Sequence, residues 1–183
     1  MAQRPGLAFS HVGIFVNQMA AMEAFYTRQL EFTVTDRGQL PGPHGPVDLV
    51  FLSRDPDEHH QIVLAGGRPE SIGFNVVNQI SLRADSLGTL KAFHARLKDQ
   101  VSEMLPVTHG NAMSIYFRDP EGNRLEVFID TPWYVTQPMR VALPIELPEA
   151  ELMQWAEQHA RTLPGFRPRA EWRAEMVRRM GIR

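Results

Sequence analysis

Shifted by 68 residues, the sequence lies over itself. His11-Val-Gly-Ile-Phe-Val16 meets Gln79-Ile-Ser-Leu-Arg-Ala84, Ala24-Phe25 meets Ala92-Phe93, and Arg28 meets Arg96. This duplication constrains the fold more than any other feature, because a unit of about 65 residues cannot bury both faces of its own sheet. Each copy opens with an alternating strand and continues with an amphipathic helix. Val12, Ile14 and Val16, then Met22, Phe25, Tyr26 and Leu30, mark the first. Ile80, Leu82 and Ala84, then Leu87, Leu90, Phe93 and Leu97, mark the second. Shorter β-type runs follow at 32–35, 49–53 and 60–65 in copy one, and near 107, 113–118 and 124–129 in copy two. The order is βαβββ, twice. The expected fold class is α+β, with two modules at about 7–66 and 77–130 forming one curved mixed sheet around a cleft. After Asp130 a Pro-punctuated tail, 131–183, should carry helices near 148–163 and 168–180, since proline suits the first helical turn.

Composition narrows the chemistry. Nineteen basic against twenty-one acidic residues leave a net charge of −2, which gives no electrostatic reason to expect nucleic acid or an anionic membrane as partner. No stretch approaches the roughly 18 apolar residues of a membrane span, and the first residues lack an export signal, so the expected location is cytoplasmic. The chain has no cysteine. Any metal must therefore be held by His, carboxylate, amide or water, and the seven histidines become the residues to sort.

Strand parity sorts them, because side chains alternate between the faces of a sheet. With Val12, Ile14 and Val16 turned to the helix, His11, Gly13 and Phe15 face the cleft, and Gln79, Ser81 and Arg83 match them. In the last hairpin Ser114, Tyr116 and Arg118 face Arg124, Glu126 and Phe128. Taking Asp119-Pro-Glu-Gly-Asn123 as the loop makes Tyr116 and Glu126 direct cross-strand neighbours. Aligning Asp55-Pro56 with Asp119-Pro120 gives a second offset of 64, which places Ile62 opposite Glu126 and turns His60, not His59, to the cleft. His109 sits on the loop entering the strand of Ser114 and Tyr116, at the cleft rim. His44, His94 and His159 read as structural or solvated. Glu126 has two readings at this point, a metal ligand or the partner of Arg83, Arg118 or Arg124 in a salt bridge.

A duplicated βαβββ unit with His11 on its first strand and Glu126 in its last, behind Arg118-Asp-Pro-Glu-Gly-Asn123, resembles the vicinal oxygen chelate superfamily of glyoxalase I, extradiol ring-cleaving dioxygenases, and fosfomycin and bleomycin resistance proteins. The resemblance covers Phe9 to about Asp130. It implies metal ligation by His11, Gln79 and Glu126. His59-His60-Gln-Ile-Val-Leu64, the rim His109, and Ser114-Ile-Tyr116 ten residues before Glu126 are similar to the extradiol branch, which implies catalytic roles for His60, His109 and Tyr116. One position departs: Gln79 stands where that branch has His. The implied cofactor is a divalent metal, Fe(II) first, with Mn, Ni, Zn and Mg as alternatives. The implied reactants are a catechol-like substrate and dioxygen, and the implied assembly a homodimer. A glyoxalase-like lyase or isomerase and a drug-binding protein without enzymatic activity are the other readings. The lyase lacks a carboxylate at the fourth metal position, where copy one offers Ile62 or His60.

Overall fold

The computed structural model of the 183-residue chain describes residues 8–42, 45–69, 71–73 and 75–181. His44 lies outside the described residues. Two compact units emerge. One holds the first repeat through Asn78 together with Asp119–Asn123; the other holds Gln79–Arg118 and the chain from Arg124 onward.

The first unit runs β1 (Val12–Val16), α1 (Met19–Arg28), β2 (Thr33–Gly42), β3 (Gly45–Ser53) and β4 (Ile62–Gly66), in the sheet order β1-β4-β3-β2. β1 pairs with β4 in parallel, Val12 beside Ile62 and Ile14 beside Leu64, and the remaining pairs are antiparallel. Ile14, Val16, Val50, Leu52, Ile62 and Leu64 share the face that carries α1 and are buried with Met22 and Tyr26 of that helix. Phe15 on the opposite face is 63% exposed.

The second unit repeats the order with β5 (Ile80–Arg83), α2 (Leu87–Leu97), β6 (Leu105–Thr108), β7 (Ala112–Arg118) and β8 (Arg124–Asp130). It adds β9 (Trp133–Tyr134), β10 (Val141–Ala142), α3 (Glu149–Arg161), β11 (Arg167–Pro168) and α4 (Arg169–Met180). β5 and β8 are again parallel, Ser81 beside Glu126, and β10 extends the sheet to β10-β6-β7-β8-β5. The fold is α+β with open, mixed sheets and four helices among the described residues. Pro148 and Pro168 cap α3 and α4 as expected from sequence. None of these helices is long and apolar enough to cross a membrane.

Two expectations change. The hairpin arm of β2 and β3 reaches past the runs expected at 32–35 and 49–53, pairing from Thr33 and Ser53 out to Gly42 and Gly45. Its exposure on both faces removes the apolar alternation by which a strand is recognised. The second concerns register. Because Ile62 pairs with Val12 as Leu125 pairs with Ile80, the two fourth strands are related by an offset of 63, not 64. The stretch from Asp55-Pro56 to Ile62 is one residue longer than that from Asp119-Pro120 to Leu125, and a one-residue slip exchanges the faces. Ile62 therefore lies on the helix-covered face, Val63 is the counterpart of Glu126, and His60 precedes the strand rather than occupying it.

The two helices start differently although Gln18 and Ser86 are equivalent positions. Ser86 caps α2 through its own hydroxyl, which accepts from the Thr89 N–H at 3.1 Å. Gln18 makes no such bond. The Glu121 carboxylate instead accepts from the N–H groups of Asn17 and Gln18 at 2.6 and 2.7 Å and pairs with Arg68 at 3.3 Å. Asp119 shapes the turn that presents Glu121, accepting from the N–H groups of Glu121 and Asn123, from the Asn123 amide and from the Tyr26 hydroxyl. Burial raises the pKa of Asp119, against the hydrogen bonds that favour its carboxylate. Because Glu121 and Arg68 are both largely buried, Glu121→Ala should lower unfolding free energy by roughly 2–4 kcal/mol, leaving a guanidinium without its counter-charge and two N–H groups at the helix start without their acceptor. Urea unfolding measures this; a change under about 0.5 kcal/mol, the usual size at an ordinary surface position, contradicts it.

Candidate functional site

Glu126 is the centre of the second unit's polar cluster. Antiparallel pairing sets it beside Tyr116 and parallel pairing sets it beside Ser81, so three strands bring these side chains to one face. Gln79, just before β5, donates its amide N–H to Glu126 Oε2 at 2.8 Å, and the Ser81 hydroxyl donates to the same oxygen at 2.5 Å. The Glu126 side chain is 8% exposed. Sequence reading placed Ser81 on this face without a role; its bond to Glu126 follows once the parallel register is known.

His109 joins from the β6–β7 turn. Gly110 there has φ +74° and abuts Val135, whose Cγ2 would lie 2.3 Å from any added Cβ, so both conformation and space require glycine. His109 Nδ1 lies 2.9 Å from the Met139 carbonyl and Nε2 lies 3.0 Å from the Tyr116 hydroxyl. A carbonyl can only accept, so Nδ1 carries a proton, and in the neutral ring Nε2 accepts from Tyr116. Burial, reinforced by the Glu126 hydrogen bond and charge, pushes the Tyr116 phenol up to about 12. Met139, in the motif-free tail, is a contributor that sequence reading did not find.

In the first unit His11 immediately precedes β1 and packs its ring against His60, with centroids 4.2 Å apart. His60 also contacts Phe51, and its Nδ1 lies 2.8 Å from that of His59. His59 is exposed and His60 half-buried. Burial, then the neighbouring charges of His11 and His59, lower the His60 pKa and favour its neutral form. Gln79, His109, Tyr116 and Glu126 belong to the second unit. His94 is buried on α2 near Glu146, and His159 stacks on Trp155.

The chemistry of these donors suits a divalent cation. The three arginines that compete for Glu126 in the sequence are otherwise engaged. Arg83 pairs with Asp130 at 3.3 Å, Arg118 with Glu103 at 2.7 Å, and Arg124 lies over the Tyr116 ring at 4.4 Å. Among the described residues no lysine or arginine pairs with Glu126, so a buried carboxylate is held by neutral donors, an arrangement that a cation would stabilise. No three His, Asp or Glu side chains among the described residues gather as a metal set, so a cation here would draw on the Gln79 amide oxygen. Amide, imidazole and carboxylate are all competent donors for such ions.

A family model described as the Glyoxalase/Bleomycin resistance protein/Dioxygenase superfamily matches residues 8–127. Biphenyl-2,3-diol 1,2-dioxygenase 2 of Rhodococcus globerulus is 31% identical over 127 residues, 67% of this chain and 62% of that protein. Biphenyl-2,3-diol 1,2-dioxygenase 3 of the same organism is 32% identical over 136 residues, 71% of this chain and 66% of that one. The alignments thus span less than two thirds of either relative. Among solved structures, a glyoxylase/bleomycin resistance protein/dioxygenase domain from Frankia sp. EAN1pec shares the fold with a TM-score of 0.55 at 20% identity, over 70% of this chain and 100% of that one. A glyoxalase family protein from Bacillus cereus does so with 0.52 at 16% identity, over 71% and 98%.

The Tyr116 environment makes a pH prediction. A phenol pKa raised in the folded state contributes stability that is fully present below about pH 10 and lost as pH rises through about 12. In metal-free protein, Tyr116→Phe should flatten the fall of unfolding free energy across that window, as read from denaturant melts at stepped pH. Parallel curves for the two proteins would refute the assignment.

Proposed function

Because the chain belongs to the glyoxalase/bleomycin resistance protein/dioxygenase superfamily, we propose that it is a metal-dependent, extradiol-type dioxygenase acting on a catechol-like substrate. The observation that carries this reading is the hydrogen-bonded His109–Tyr116 pair set against the buried Glu126. The names of the two Rhodococcus relatives support it. His11, Gln79 and Glu126 are the residues that would hold ferrous iron, which would supply the acidification of vicinal hydroxyls and the activation of dioxygen that such a reaction needs.

The chain's own groups handle protons and orientation. His109, with Nδ1 committed to Met139, exchanges protons only through Nε2 and Tyr116, so together they offer a substrate oxygen either a donor or an acceptor. His60 takes the diol proton as a neutral base. Gln79 and Ser81 keep Glu126 aimed into the open face. Phe15 and Phe128 provide apolar surface for the ring; Ile62, on the covered face, does not. The lyase alternative needs a second carboxylate to move a proton beside a carbonyl, and the position equivalent to Glu126 in the first repeat is Val63.

Protein reconstituted anaerobically with Fe(II) should consume one dioxygen per catechol and give a coloured ring-opened product that retains both oxygen atoms. His11→Ala and Glu126→Ala should lose bound iron, measured by elemental analysis. Tyr116→Phe should keep iron and lose roughly 10²–10⁴-fold in kcat. Gln79→His should gain iron occupancy. The proposal fails if iron-loaded protein neither takes up oxygen nor forms product across a panel of substituted catechols.

A further inference from the structure

We propose that Arg124 recognises an anionic substituent on the substrate ring, so that carboxylated catechols are preferred over neutral ones; this rests on the ring-opening reading above. Arg124 shares the open face of its sheet with Tyr116 and Glu126. The other arginines of that face are neutralised, Arg83 by Asp130 and Arg118 by Glu103. The Arg124 guanidinium has no ion-pair or hydrogen-bond partner among the described residues. Its guanidinium carbon lies 4.4 Å from the centre of the Tyr116 ring, the same ring whose hydroxyl meets His109.

A guanidinium binds a carboxylate through two parallel hydrogen bonds from its N–H edge. Arg124 lines a cavity of about 220 Å³ together with Glu103, Met104, Leu105, Tyr116 and Phe117. Glu103 does not cancel the charge, because its carboxylate is bound to Arg118. Two residues along a strand span about 7 Å, close to the distance from the hydroxyls of a catechol to an acid on the far side of its ring. Arg124 and Glu126 are thus spaced to address opposite ends of one such molecule.

The test is the ratio of dissociation constants for 4-methylcatechol and 3,4-dihydroxybenzoate, measured calorimetrically on iron-loaded protein without oxygen. The wild-type protein should bind the acid at least tenfold more tightly. Arg124→Ala should reduce the ratio about 10–100-fold, the loss expected for a charge-assisted pair. Arg124→Lys, which keeps charge but not the planar fork, should fall between. An unchanged ratio in Arg124→Ala, equal weakening of both ligands, or no binding of the acid by wild-type protein would each overturn the inference. The ratio reads binding alone. Absence of turnover with either compound counts against the ring-opening reading, and the effect of Arg124→Ala on the ratio still decides the role of Arg124.

Discussion

The parallel pairing of the first and fourth strands within each repeat is the constraint from which the rest follows. Parallel neighbours cannot be joined by a tight turn, so a long crossover must intervene, and here a helix and two further strands fill it to give the βαβββ order. The same pairing decides chemistry. First-strand residues Gly13 and Ser81 come beside fourth-strand positions whose faces are fixed by register. In the second repeat that position holds Glu126; in the first it holds Val63. One duplicated scaffold thus carries a carboxylate on one side and a hydrocarbon on the other, and this asymmetry gives the two halves different work.

Electrostatics around Glu126 follow from what its neighbours are doing elsewhere. Three arginines share its face, yet each is diverted, two by carboxylates and one by an aromatic ring. A carboxylate surrounded by unsatisfied cations would be quenched as a salt bridge. Here it is buried and held by an amide and a hydroxyl, which position it without neutralising it. The departure at Gln79 belongs to the same pattern, since the amide both orients Glu126 and keeps an oxygen of the right type for a cation.

How much of this was legible in the sequence depends on how local each determinant is. The Tyr116–Glu126 pair was readable because a five-residue Asp-Pro-Glu-Gly-Asn turn fixes the hairpin register, and counting outward from it reaches the pair. Helices α3 and α4 were readable from their prolines. The first repeat's fourth strand was misaligned by one, because the chain preceding it forms an irregular turn whose length no side chain announces. The 37–46 arm was hidden by its own exposure. Glu121 shows the limit most clearly: Ser86 declares itself as a helix cap by its type and place, whereas the carboxylate serving α1 lies about a hundred residues away and becomes visible only when the chain is folded.

The contact between His109 and the Met139 carbonyl has a further consequence. A free imidazole is ambidextrous: a proton can arrive at one nitrogen and leave from the other, making it a through-conductor. With Nδ1 fastened to a main-chain acceptor, His109 becomes a terminus, able to store a proton and return it by the same door. The fastening comes from a stretch of chain outside the matched family region. On the proposed reading, the polarity of acid–base exchange would be written in this least conspicuous segment, and a homologue with the same His and Tyr but a different tail need not share it.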